Sequence, residues 1–142
     1  MSGRSFVDTN ILLYAYDFEA GVKNKIAAEV LRELWRDDAG TLSTQVLQEF
    51  YVNVTAKITK PISPTQARAI LSRYRVWPVE ENNADSVLRA SEIQERYRLS
   101  FWDALIVAAA VKAGAKTLLS EDLNAGQVCE GVTIVNPLLR AG

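Results

Sequence analysis

Residues Ala104 to Val111 are apolar without interruption, and Lys112 and Gly114 close the run. A helix with no polar face must be covered on all sides, so this segment has to lie at the centre of the fold. It is too short to cross a bilayer, and no apolar run in the chain reaches the ~18 residues that a membrane span needs. Ser100 stands where an N-cap belongs, and Asp103 falls at the third helical position. The central helix therefore starts with an acid in its first turn.

The segments around it alternate. Phe6-Val7 reads as a short buried strand that ends in Asp8, with Thr9 and Asn10 as cap-type side chains before a helix over Ile11–Tyr16. Ile26, Val30, Leu31 and Leu34 recur at helical spacing and predict a helix from about Val22 to Trp35. Thr41–Ser43 is a short strand, after which Ser43 or Thr44 caps a helix that stops before Pro61 and carries Glu49 in its second turn. Ser63-Pro64-Thr65-Gln66 is a strong helix start, running to about Tyr74. Val76–Val79 reads as an edge strand, because Pro78 cannot donate to a ladder. Asn82, with Asp85 three residues on, predicts another capped helix to about Arg96. Thr117–Leu119 and Thr133–Val135 complete the strands, with a turn at Gly126 between them. Such alternation argues for an α/β fold with a parallel sheet covered on both faces. Residues 1–142 suffice for one domain that buries roughly two-thirds of its unfolded surface.

Composition narrows the chemistry. The chain has no histidine and one cysteine, Cys129, which removes His-based triads, His-containing zinc sites and thiolate clusters. The lone cysteine reads as inert and fits a reducing compartment; with no secretion signal before the first strand, a cytoplasmic location is expected. Any metal must then be held by oxygen, which points to Mg²⁺ or Mn²⁺.

In a parallel α/β layer, strand C-termini and helix N-termini share one edge, and ligands of open sheets bind there. Asp8, Glu49, Asp103 and Asp122 all occupy such positions, although 41, 54 and 19 residues separate them along the chain. Four ionised carboxylates on one rim repel one another, and one or two divalent cations are the natural compensation. Committing these acids to a cation leaves 16 basic against 13 acidic residues, a balance of +3 in place of −1. Thr9, Asn10 and Ser120 are placed to orient the carboxylates. This set suits metal-assisted phosphodiester hydrolysis, with Asp8 and Asp103 as direct ligands. Glu49 and Asp122 would ligate through water, hold a second ion or orient the attacking water.

Other residues weigh less. Trp102 reads as core or interface packing rather than a base-stacking platform, and Trp35, Tyr51 and Trp77 are candidate interface aromatics. Lys57, Lys60, Arg68, Arg73, Arg75, Arg96 and Arg98 could flank a backbone-binding groove, but they are scattered rather than blocked. No Gly-rich phosphate loop or dinucleotide fingerprint is present.

The segments FVDTNILLYA, QEFYVN, SFWDALIVAAA and LLSEDLNAGQ, in this order, resemble the PIN-domain family, and more narrowly its VapC-type toxins. The resemblance covers essentially the whole chain. It implies a three-layer α/β/α fold around a mostly parallel five-stranded sheet, and a Mg²⁺- or Mn²⁺-dependent endoribonuclease, usually a homodimer. It places Asp8, Glu49, Asp103 and Asp122 in the metal pocket, with Thr9 and Ser120 at supporting hydroxyl positions. RNA substrates such as tRNA or ribosomal RNA and a small VapB-type antitoxin are the implied partners. Two alternatives use the same acids: a structure-specific DNA nuclease or phosphatase, and a non-catalytic metal- or RNA-binding module. A receiver-like version of the latter is weakened, because Lys112 and Lys116 precede the last-but-one strand instead of ending a late one.

Overall fold

Phe6 and Val7 have no exposed surface, and the sheet grows outward from them in both directions. The computed structural model describes residues 3–141, so the outermost residues of the expected 1–142 domain lie outside it. Its elements are β1 (Ser5–Val7), α1 (Thr9–Tyr16), α2 (Val22–Asp37), β2 (Gly40–Ser43), α3 (Thr44–Ala56), α4 (Pro64–Tyr74) and β3 (Val79–Glu80). There follow α5 (Ala84–Tyr97), α6 (Phe101–Lys112), β4 (Thr117–Leu119), β5 (Val128–Cys129), β6 (Val132–Val135) and a closing 3₁₀ turn at Pro137–Ala141.

The sheet order is β3-β2-β1-β4-β6-β5. Every pairing is parallel except β5 with β6, and β1 is in register with both neighbours, Phe6 opposite Thr41 and Leu118. The chain builds β1, β2 and β3 toward one edge and then returns to lay β4 and β6 on the other side of β1. The direction of winding thus reverses between β1 and β4, and crevices of open α/β sheets form at such a reversal.

The expected fold class is present, with six strands where five were expected. The additional strand, β5, is a two-residue piece of hairpin whose turn is made by Glu130 and Gly131 at φ 52° and 85°. A run that short carries no periodicity to read. The other differences are small. The edge strand starts at Val79 instead of Val76, because Val76 and Trp77 bond back to α4 through Arg73 O and Tyr74 O. The α5 cap is Asn83, not Asn82: its side chain accepts from Ser86 N while Ser86 Oγ accepts from Asn83 N, a reciprocal box one residue later. Ser63 and Gln66 form the expected box at α4, and Ser43 caps α3 through Val46 N.

Helix α6 is buried from Ala104 to Ala110. It packs against β2, β4 and β6 with α5 over it, while α1 to α4 pack among themselves, α2 and α3 also against β2. Trp77, expected at an interface, is only 3% exposed. Its ring lies 5.0 Å from those of both Trp35 and Tyr74, and it covers Gly40, where even a Cβ would come within 2.4 Å of the indole. This close approach is why β2 starts with glycine.

Candidate active site

Asp8 lies between the end of β1 and the start of α1, and it is itself the N-cap of that helix, a role expected of Thr9 or Asn10. The strand stops at Val7 and the helix starts at Thr9, so only one residue is left to make the change of direction. One Asp8 oxygen, Oδ1, accepts from Thr9 N at 2.7 Å. The other, Oδ2, accepts from Ser120 Oγ at 2.8 Å and from Asn10 Nδ2 at 3.4 Å. Asp8 N donates to Leu119 O, which locks the end of β1 to the end of β4.

The other acids arrive from three separate elements. Glu49 is held on α3, where Oε1 accepts from Thr9 Oγ1 at 2.6 Å and Oε2 from Gln45 Nε2 at 3.2 Å. Asp122 follows β4; its carboxylate accepts from Asn10 Nδ2 at 3.0 Å, and its amide donates to Ser120 Oγ at 3.2 Å. Asp103 sits in the first turn of α6, where its amide donates to the capping Ser100 Oγ. Asp8, Glu49, Asp103 and Asp122 line one cleft of about 330 Å³, together with Thr9 and Asn10. Ser120 lies beneath it, fully buried. All seven residues singled out in the sequence are therefore brought to one place.

Burial is the main electrical fact. Desolvation raises the Asp8 carboxyl from 3.8 to about 6, opposed by the Ser120 and Thr9 hydrogen bonds and reinforced by the charges of Glu49 and Asp103. Asp103 is also pushed up, first by desolvation, then, against the Ser100 hydrogen bond, by the charges of Asp122 and Glu49. No lysine or arginine is among the described residues that line the cleft. None of the seven scattered basic residues is among that described lining; Arg96 is 2.6 Å from Glu130, and Lys60 is 3.8 Å from Glu19.

A hard divalent cation suits this donor set, which is all oxygen and lacks a protein counter-charge. The acids are not, however, gathered into a finished cage: among the described residues no group of three or more stands ready to hold one ion. Thr9 and Gln45 hold Glu49 to one side, whereas a single Asn10 amide nitrogen reaches both Asp8 and Asp122.

Sequence reasoning missed Gln45 and Asn53, which also line the cleft. They flank Glu49 at i−4 and i+4, a spacing that puts all three on one helical face and could have revealed them. Of the two places expected for Trp102, the core is excluded: the residue is 63% exposed and lines the cleft. Glu121 turns away from the acids toward Tyr14 and Lys23. Cys129 is buried and free, with its thiol pushed up by burial and by Glu130, which disfavours the thiolate.

Solved structures of the same fold include a toxin and toxin–antitoxin complexes. VapC20 of Mycobacterium tuberculosis, a sarcin–ricin-loop-cleaving toxin, aligns with TM-score 0.61 at 21% identity, over 83% of this chain and 89% of that one. A toxin–antitoxin complex from Klebsiella pneumoniae aligns with TM-score 0.66 at 20% identity, over 94% and 97%. VapBC2 from Rickettsia felis, bound to a promoter DNA fragment, aligns with TM-score 0.61 at 19% identity, over 92% and 96%. At these identities the likeness speaks for the fold. Compared by sequence with curated proteins, the chain has no significant match. The sequence profile of the PIN domain, however, matches residues 5–131, from the first strand through the β5–β6 turn, and by that match the chain belongs to the PIN-domain family.

Proposed function

We propose that this protein is a divalent-metal-dependent endoribonuclease, the toxin of a VapBC-type pair. The observation that carries the reading is the convergence of Asp8, Glu49, Asp103 and Asp122 on one cleft without a basic residue among its described lining. Structural likeness to a sarcin–ricin-loop-cleaving toxin supports RNA as the substrate class, with ribosomal or transfer RNA as the first candidates. The likeness to toxin–antitoxin complexes supports a VapB-type antitoxin as partner. A homodimer acting in the cytoplasm completes the proposal. No described helix is long and apolar enough to cross a membrane.

Asp8 and Asp103 would hold Mg²⁺ or Mn²⁺ directly, with Glu49 and Asp122 acting through water or on a second ion. When bound, the metal neutralises charge at the phosphate and lowers the pKa of the attacking water. The protein's own part is orientation. Ser120 and Asn10 fix the Asp8 carboxylate, and Thr9 and Gln45 fix that of Glu49. With no histidine in the chain, proton uptake falls to carboxylates and water.

The test is cleavage of RNA by the purified protein with Mg²⁺ or Mn²⁺, in parallel with flap DNA and a small phosphoester. Cleavage should be confined to RNA, stop with EDTA, and disappear in Asp103→Asn while the circular dichroism spectrum is kept. Inducible expression of both forms, with sequencing of RNA 5′ ends, would locate the target. Undiminished cleavage by folded Asp8→Asn and Asp103→Asn proteins would remove the proposed site.

A further inference from the structure

The cleft sets a problem for any polyanionic substrate. Four acids face it, and none of the described lining residues is basic, so the walls offer RNA phosphates no ion pair. Metal can neutralise the scissile phosphate, but the flanking nucleotides need another source of affinity. Trp102 is the one aromatic residue among the described lining. An exposed aromatic is ordinary by itself; its mounting is what distinguishes this one.

Trp102 immediately precedes Asp103 on α6 and is 63% exposed, whereas Trp77 is enclosed by other rings and Trp35 packs against Tyr74 and Trp77. The Phe101 ring braces the indole edge-on, with centroids 5.3 Å apart and planes at 81°. The Trp102 carbonyl accepts from Gln45 Nε2 at 3.2 Å, and that amide also donates to Glu49 Oε2. One buried side chain thus ties the tryptophan's backbone to an acid on the opposite helix, while the Phe101 ring is what packs against the indole itself.

Taking the nuclease reading as its basis, we infer that Trp102 is a substrate-binding residue that stacks an unpaired nucleobase beside the scissile phosphate. Stacking is indifferent to the negative charge of the cleft and tolerant of base identity. It also selects substrate shape, because a base inside an A-form duplex has both faces covered by its neighbours. The site therefore takes RNA whose bases are splayed at the cleavage point, in a loop or single strand, and rejects continuous duplex.

The experiment compares wild type, Trp102→Phe and Trp102→Ala on one labelled, unstructured RNA and on the same RNA annealed to its complement, with Mn²⁺. Trp102→Ala should lower kcat/KM on the single strand roughly 5- to 150-fold, mainly through KM, with Trp102→Phe between it and wild type. The duplex should be a poor substrate throughout. In an Asp103→Asn background, which stops turnover, adding the single strand should quench indole emission, and Trp102→Phe should abolish that quenching. Cleavage by Trp102→Ala within twofold of wild type, or quenching that survives Trp102→Phe, overturns the stacking role. So does unchanged RNA cleavage accompanied by loss of a protein partner, which would assign Trp102 to a protein interface. Failure of wild type to cleave any RNA would instead overturn the nuclease reading on which this rests.

Discussion

Ser120 Oγ donates to Asp8 Oδ2 at 2.8 Å, bridging residues 112 apart in sequence, and the same oxygen accepts from the amides of Asp122 and Leu123. One buried hydroxyl therefore joins the acid after β1 to the loop that carries the acid after β4. Ser120→Ala should destabilise the protein by about 1–3 kcal/mol, because it strips partners from a buried carboxylate and from two amides. Urea denaturation measures this; a change within about 0.5 kcal/mol would mean that the hydroxyl is not a structural tie.

Thr9→Val keeps the shape of a buried side chain and removes only the hydroxyl that donates to Glu49. Gln45 then remains as the donor to that carboxylate. Cleavage should fall roughly 10- to 100-fold, the usual cost of losing a group that orients a metal-binding side chain. Thermal stability should move little by comparison. A large loss of stability with normal cleavage by the remaining folded protein would reverse the assignment.

Asp8 makes the metal-free protein pH-sensitive in a defined direction. Its folded-state pKa of about 6 lies above the ordinary 3.8, so the folded state holds the proton more tightly than the unfolded chain does. This group's contribution is fully present below about pH 4 and is lost as pH rises through about 6, a change of roughly 3 kcal/mol in all. With EDTA present, Asp8→Asn should therefore gain stability relative to wild type as pH is raised from 4 to 7. Saturating Mg²⁺ should narrow that difference by stabilising wild type alone. Denaturation curves at both pH values, with and without metal, measure it.

Gly40→Ala should cost about 1–3 kcal/mol or more, since the new Cβ falls 2.4 Å from the Trp77 ring in a filled core. The loss should be smaller in a Trp77→Phe background, where the ring is shorter. Equal losses in the two backgrounds, read by thermal denaturation, would show that the strain has another source.

Local chemistry was legible where it was written in neighbouring residues. The Ser63–Gln66 box, the Ser100 cap and the all-apolar α6 could be read directly, because capping and periodicity act over one or two helical turns. Strand β5 could not, since two residues have no period, and the Asn83 cap was missed by one position because Asn82 has the same side chain. Trp77, expected at an interface, is buried, and Trp102, for which the core was one of two expected places, is exposed. An indole is buried or exposed according to what tertiary packing brings over it, and no neighbour in sequence reports that.

From the amino-acid order alone came the alternation of strands and helices, the central apolar helix, an all-oxygen chemistry and four acids on strand and helix ends that must share a rim. Tertiary structure decided how those acids are held. Thr9 reaches Glu49 on another helix, Asn10 spans Asp8 and Asp122, and Ser120 closes the β1–β4 junction. Residue type sets which chemistry is available, but a hydrogen bond depends on distances of a few ångströms. Between residues 40 to 112 positions apart, only the folded chain fixes those distances.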